Sequence, residues 1–224
     1  MKKILLATLL FSASTWAYDI QQDLPITYDL VSAGNKPVAL LGNQVEVSQL
    51  APSFKVVDDK FRVKTLKDYL GSPILLSVVP SLDTGICSMQ TKRFNEEIGH
   101  LPQDVVMLTI SADLPFAQKR FCKTENIDKI QTLSDSVWRD FAMNYGVLIK
   151  DMGLLTRSIF IIAPDGTIKY KEIVPQLSEH PDYDSALSAL KALSEQSELT
   201  DESLDSVGSE AVAPTSEQDN TTKN

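Results

Sequence analysis

Cysteine and histidine are scarce in this chain of 224 residues, which holds two of each: Cys87 and Cys122, His100 and His180. Neither histidine neighbours a cysteine or belongs to a ligand-spaced cluster, which argues against a zinc centre and against a cysteine–histidine protease. A CxxC pair is also missing, because Cys87 is followed by Ser88-Met89-Gln90. With it goes the usual signature of a thiol–disulfide exchange protein. No glycine-rich phosphate loop and no haem-attachment motif occurs, so the chemistry calls for no cofactor and no metal. No internal period suggests a solenoid. Beyond the extreme N-terminus, no apolar run approaches the roughly 20 residues that a membrane-spanning helix needs.

The two ends have their own character. Residues 1–17 begin with Lys2 and Lys3, continue through an apolar run over 4–11 and finish in Ser12-Ala13-Ser14-Thr15-Trp16-Ala17. That order predicts a secretory signal peptide cleaved after Ala17, hence a periplasmic protein, or a cytoplasmic one if the signal goes unused. Tyr18 as the next residue excludes a lipidated cysteine at the new N-terminus. From Glu195 to Asn224 the chain carries eight acids and one lysine, with no aromatic residue and no apolar period. This composition predicts a disordered acidic tail, and it accounts for most of the formal charge of −9. A negative balance of this kind argues against nucleic acid as a partner and leaves the active site unconstrained.

Between these ends, residues 18–36 are polar and lack a period, and they read as an N-terminal extension. Residues 37–194 are enough for one domain with its own core. Within it, runs at 38–41 and 44–47 around Gly42-Asn43 predict a hairpin. An extended run at 54–57 and a helical turn at 65–69, closed by Gly71, come next. Residues 74–79 then form a strand, apolar at nearly every position as expected where both faces are covered. Helices are predicted at 86–98, 115–124 and 137–145, with strands at 105–110 and 130–133. A strand pair at 158–163 and 168–174 flanks Pro164-Asp165-Gly166, and Tyr183, Ala186, Leu187, Leu190 and Leu193 mark a closing helix opened by Pro181. The fold class is α/β, a mixed sheet with helices on both faces and an N-terminal β-hairpin.

Two cysteines in an exported protein point first to a structural disulfide. A Cys87–Cys122 bridge would stabilise by about 3 to 4 kcal/mol in the chain-entropy model whether permanent or transient, so energy does not separate the readings. Context favours reactivity. Cys87 ends Pro80-Ser81-Leu82-Asp83-Thr84-Gly85-Ile86-Cys87, where a strand gives way to a helix. Free N–H groups and the positive end of the dipole at such a helix start favour an anionic sulfur.

Pro80, Thr84 and Cys87 match the PxxxTxxC pattern of peroxiredoxins. That stretch, with Ser111-Ala112-Asp113-Leu114-Pro115-Phe116-Ala117-Gln118-Lys119-Arg120-Phe121-Cys122, resembles the bacterial thiol peroxidases, the atypical two-cysteine group. The resemblance implies a thioredoxin-like fold with Cys87 as peroxidatic and Cys122 as resolving cysteine, joined in a disulfide that forms and breaks with each turnover. It implies roles for three more residues. Thr84 would donate to the thiolate or accept from the peroxide, Pro80 would shield the sulfur, and Arg157 would place a permanent charge beside it. On the residues alone, Thr84 reads equally as a helix cap, Pro80 as a strand stop and Arg157 as a surface strand residue. Further implications are a hydroperoxide substrate, a thioredoxin or periplasmic thioredoxin-like reductant, and a homodimer. Two alternatives stay open: an exported thiol–disulfide exchange protein on the same fold, and a non-enzymatic secreted domain stapled by its two cysteines.

Overall fold

The structure is a computed structural model and describes residues 24–208, with side chains through residue 195. The signal segment, residues 18–23 and residues 209–224 lie outside the described part. Its centre is strand β5 (Ile74–Val78), buried at all five positions. Side chains alternate along it: Ile74, Leu76 and Val78 pack into one hydrophobic cluster, Leu75 into a second on the opposite face. Coverage on both faces is why this strand has no polar face.

Seven strands make the main sheet. β5 lies between β6 (Val106–Ser111), which runs parallel to it, and β9 (Ser158–Ile162), which runs antiparallel. Outward from β9 comes β10 (Ile168–Ile173), and outward from β6 come β7 (Gln131–Ser134), β3 (Lys55–Val57) and β4 (Val63–Thr65). Helices α1 (Gly85–Glu97) and α4 (Tyr183–Gly208) contribute Phe94, Ala186 and Leu190 to one face, and α2 (Pro115–Glu125) lays Phe121 and Cys122 against the same cluster. On the other face α3 (Asp140–Asn144) packs Phe141 and Ala142. A mixed sheet flanked by helices is what the sequence predicts. No helix among the described residues is long and apolar enough to cross a membrane.

The hairpin exists but lies earlier in the chain than the Gly42-Asn43 pair suggests. Strands β1 (Ile26–Ala33) and β2 (Lys36–Leu41) pair around Gly34-Asn35, with Ala33 opposite Lys36. Gly34 has φ +61°, the first-position glycine of a type II′ turn. Strand β1 falls inside the stretch read as an extension because a register shift between Thr27 and Val31, with Asp29 at φ 64°, breaks the alternation that marks a strand. Gly42 serves a different purpose. A Cβ there would lie 2.1 Å from the Met143 carbonyl oxygen, and the Asn43 N–H donates to that same oxygen at 2.9 Å. The pair that looks like a turn is a close approach of two backbones. Two further short strands, β4 and β8 (Leu148–Ile149), the latter joining the hairpin, also escape the pattern reading.

The closing helix is longer than expected and continues to Gly208, into the stretch read as a disordered tail. Residues 195–207 contain no proline or glycine, so a helix already docked through Ala186 and Leu190 can propagate without a new nucleus. Trp138 is 37% exposed, with the Lys55 ammonium 4.0 Å over its ring.

Beyond β7, the fully buried Asp135 accepts hydrogen bonds from the Phe141 and Ala142 N–H groups at 3.1 and 3.0 Å, satisfying the start of α3. Burial outweighs these bonds and pushes its pKa up to about 7. A folded pKa above the unfolded value of 3.8 means a contribution that is complete below about pH 4 and lost as pH rises through about 7. Urea titrations from pH 5 to 8 are therefore expected to show the parent losing stability relative to Asp135→Asn. Parallel pH profiles would exclude this role for Asp135.

Candidate active site

Strand directions decide where chemistry can collect. β5 and β6 are parallel, so the loops leaving them toward α1 and α2, the two cysteine-bearing helices, emerge at one edge of the sheet. β9 is antiparallel and enters at that edge. Its register pairs Ser158 with Val78, so Arg157 arrives level with Val79 at the head of the Cys87 loop.

Cys87 lies in the first turn of α1, whose extended N-cap is Thr84, and the sulfur has no solvent exposure. It packs with Val79 and Leu82, and Phe121 of α2 closes over this group. The Arg157 guanidinium, 1% exposed, donates from Nη2 to Cys87 Sγ at 3.4 Å and to the Leu177 carbonyl at 3.0 Å. Nη1 donates to Gln90 Oε1 at 2.7 Å, and Gln90 Nε2 donates to Ser77 Oγ at 2.8 Å. Nε–H has no hydrogen-bond partner among the described residues, which leaves one buried donor beside the sulfur. A residue that composition alone would put on the surface is thus the largest fully buried side chain among the described residues.

Thr84 uses its hydroxyl to donate to the Ser81 carbonyl at 3.0 Å, and it makes no side-chain cap bond to the helix it precedes. Donation to the Cys87 sulfur is therefore not what the hydroxyl does here. Its oxygen keeps acceptor capacity. Pro80 is buried at the mouth of a pocket of about 490 Å³, whose walls are Pro80, Thr84, Ile86, Met89, Arg157, Leu177 and the hairpin tip at Ala33 and Gly34. Apart from Thr84 and Arg157, these walls are mostly apolar. On the other side of Thr84 a second cleft of about 330 Å³ runs between the start of α1 and Arg120, Phe121 and Thr124 of α2.

Cys122 stands apart from this centre. Its sulfur lies 3.4 Å from Thr132 Oγ1 on β7, and burial pushes the thiol pKa up against the opposing effect of that contact. Both cysteines are free, so the expected Cys87–Cys122 bridge is not closed in this structure. The two side chains belong to different hydrophobic clusters, and Phe121 contributes to both.

Gln90 and the Leu177 carbonyl are functional groups that the sequence reading missed. Gln90 was within reach of it, since a polar residue three positions after the cysteine on a helix shares its face. Leu177 carried no signal, because a backbone carbonyl leaves none. Gln90→Ala removes the bond that fixes Nη1 and is expected to slow the reaction of Cys87 with peroxide by about tenfold without unfolding the chain. Competition kinetics against a reference peroxidase measures this. A rate within twofold of the parent would show that Leu177 alone suffices.

No group of three or more histidine, cysteine or acidic side chains among the described residues could hold a metal ion. Comparison with known proteins gives a consistent picture. The AhpC/TSA family matches residues 47–171, a span that contains Pro80, Thr84, Cys87, Cys122 and Arg157. The thiol peroxidase of Oceanobacillus iheyensis is 47% identical over 160 residues, covering 71% of this chain and 97% of its own length. That of Bacillus subtilis is 46% identical over 157 residues, covering 70% of this chain and 93% of its own. Among solved structures, a peroxiredoxin-like protein from Aquifex aeolicus superposes with a TM-score of 0.70 at 36% identity, over 76% of this chain and 98% of that one. A thiol peroxidase from Chromobacterium violaceum shares the fold with a TM-score of 0.66 at 22% identity, over 72% of this chain and 95% of that one. The chain belongs to the AhpC/TSA family, the peroxiredoxins, and within it resembles the thiol peroxidases.

Proposed function

We propose that this chain is a thiol peroxidase that reduces hydrogen peroxide and organic hydroperoxides through Cys87 and Cys122. The observation that carries the reading is the 3.4 Å contact between Arg157 Nη2 and the buried Cys87 Sγ, beside a pocket that Arg157, Pro80 and Thr84 line. Among the described residues no carboxylate pairs with Arg157, so the sulfur is the anion-forming group in contact with it. A guanidinium held out of water stabilises both the attacking thiolate and the charge that develops as the oxygen–oxygen bond breaks.

The Cys87 thiolate attacks the terminal peroxide oxygen. The S–O bond forms as the O–O bond breaks, the leaving oxygen takes a proton to become water or an alcohol, and Cys87 is left as sulfenic acid. Cys122 then attacks the sulfenic sulfur, water leaves, and the disulfide closes. An external dithiol returns both sulfurs to thiols. Burial disfavours the Cys122 thiolate and Phe121 packs toward Cys87, which supports a second step in which the start of α1 and the α2 segment leave their packed positions. The apolar walls of the 490 Å³ pocket favour hydroperoxides with an organic tail as substrates.

The same reading includes a thioredoxin or periplasmic thioredoxin-like protein as reductant, a homodimer, and a periplasmic address after removal of residues 1–17. Support for these comes from the family and from the charged, apolar and small-residue order of the N-terminus. Catalytic duties fall to Cys87 and Arg157, with Cys122 resolving, Thr84 accepting from the bound peroxide and Pro80 shielding the sulfur.

Peroxide consumption coupled to a dithiol reductant is expected to vanish in Cys87→Ser. Cys122→Ala is expected to form a trappable sulfenic acid at Cys87 and then stall. Undiminished turnover by Cys87→Ser would overturn the assignment.

A further inference from the structure

Asp113, in the loop between β6 and α2, is used by none of the chemistry above, yet its carboxylate holds the loop that delivers Cys87. Oδ1 accepts from the Ser81 hydroxyl at 2.7 Å, and Oδ2 accepts from the Leu82 N–H at 2.7 Å and the Ser111 hydroxyl at 2.8 Å. The acceptor is itself held fast. Ser134 Oγ donates to the Asp113 carbonyl at 2.6 Å, and the Asp113 N–H donates to Ser111 Oγ at 3.3 Å. Ser111 Oγ also accepts from Nε2 of the buried Gln118 on α2 at 3.0 Å. One chain of hydrogen bonds therefore runs from the helix of Cys122 through Gln118, Ser111 and Asp113 to the loop of Cys87. Among the described residues, no other side chain outside the loop bonds Ser81 or Leu82.

This connection matters because the two sulfurs react at different moments and in different places. Resting on the roles proposed above for Cys87 and Cys122, we infer that Asp113 is a positioning residue whose hydrogen bonds to Ser81 and Leu82 set the fate of the Cys87 sulfenic acid. While they hold, the sulfenic sulfur stays in the pocket beside Arg157, where a second hydroperoxide can oxidise it. In that step another S–O bond forms, the second hydroperoxide's O–O bond breaks, an alcohol or water leaves, and Cys87 becomes sulfinic acid. Once they break, the loop leaves its site, Cys122 reaches the sulfur, and the disulfide forms with loss of water. The strength of the latch divides the intermediate between these two outcomes.

The chemistry at this position requires a carboxylate. Three donors converge on an acceptor-only group, and an asparagine offers a single acceptor oxygen and turns its NH₂ toward at least one of them. Asp113→Asn weakens the latch more than Ser81→Ala, which removes one of the two bonds to the loop. The expected signature separates positioning from general support. In Asp113→Asn, the peroxide concentration giving half inactivation by sulfinic acid rises about tenfold, as loss of a charge-assisted hydrogen bond predicts. The first reaction with peroxide, measured by stopped flow, stays within about threefold of the parent because the closed loop still predominates. Ser81→Ala shifts the partition in the same direction by a smaller factor. A purely structural Asp113 would instead slow the first reaction or melt the protein without moving the partition.

Mass spectrometry of each protein after one and after several equivalents of cumene hydroperoxide, with and without a sulfenic-acid trap, gives both readouts. If the parent never traps a sulfenic acid at Cys87, the peroxidase reading itself fails. If Cys87 is trapped but both variants, or Ser81→Ala alone where Asp113→Asn does not fold, keep the parent's sulfinic-to-disulfide ratio within experimental error, the latch is overturned.

Discussion

The contact of a guanidinium, 1% exposed and without a carboxylate partner among the described residues, with the Cys87 sulfur is the interaction on which this structure turns. Taking such a charge out of water costs several kcal/mol unless its donors are used and an opposing charge is near. Gln90 accepts from Nη1, and the Leu177 carbonyl and the Cys87 sulfur accept from Nη2, while Nε–H is without a partner among the described residues. Cost and function are therefore linked. The arrangement that makes the buried arginine tolerable is the one that sets a fixed positive charge 3.4 Å from the solvent-shielded Cys87 sulfur.

Sheet topology makes the contact possible at this distance in sequence. Parallel pairing of β5 with β6 sends the loops of both cysteine-bearing helices from one edge, and antiparallel β9 brings Arg157 to the same edge. Behind Arg157 stands a further tie. The Leu177 N–H donates to the Ser32 carbonyl at 3.0 Å, so the strap that holds the guanidinium is itself held by the hairpin. The hairpin is thus both a wall of the pocket beside Arg157 and a support for the strap that holds its guanidinium. The same packing places Cys122 against a different cluster from Cys87, with Phe121 contributing to both.

The local parts of this site were legible in the sequence. Pro80, Thr84 and Cys87 lie within one loop and one helical turn, and an all-apolar strand running into a proline announces where that loop begins. The central strands and the helices of the two cysteines were also readable, because buried strands and amphipathic helices leave periodic patterns. Long-range parts were less so. Arg157 reads as a surface residue until a family resemblance supplies its partner, since only the strand register places it at Val79. Gly42-Asn43 was misread because a glycine required for close approach looks like a glycine required for a turn. Strand β1 was missed because a bulge and the positive φ of Asp29 destroy its alternation. Thr84 shows the limit from the other side: its position was readable, but its hydroxyl bonds Ser81 and not the sulfur.

In the proposed reaction Arg157 stabilises the charge that develops on the breaking oxygen–oxygen bond, beyond its contact with the sulfur. The direct measurement compares two reactions of the same thiol in the parent and in Arg157→Lys: the rate with hydroperoxide and the rate with a simple alkylating agent such as iodoacetamide. Alkylation needs the thiolate but breaks no O–O bond. Loss of the guanidinium fork is expected to slow the peroxide reaction by about a hundredfold while alkylation falls far less. Equal losses in both would reduce Arg157 to a counter-ion and contradict the account.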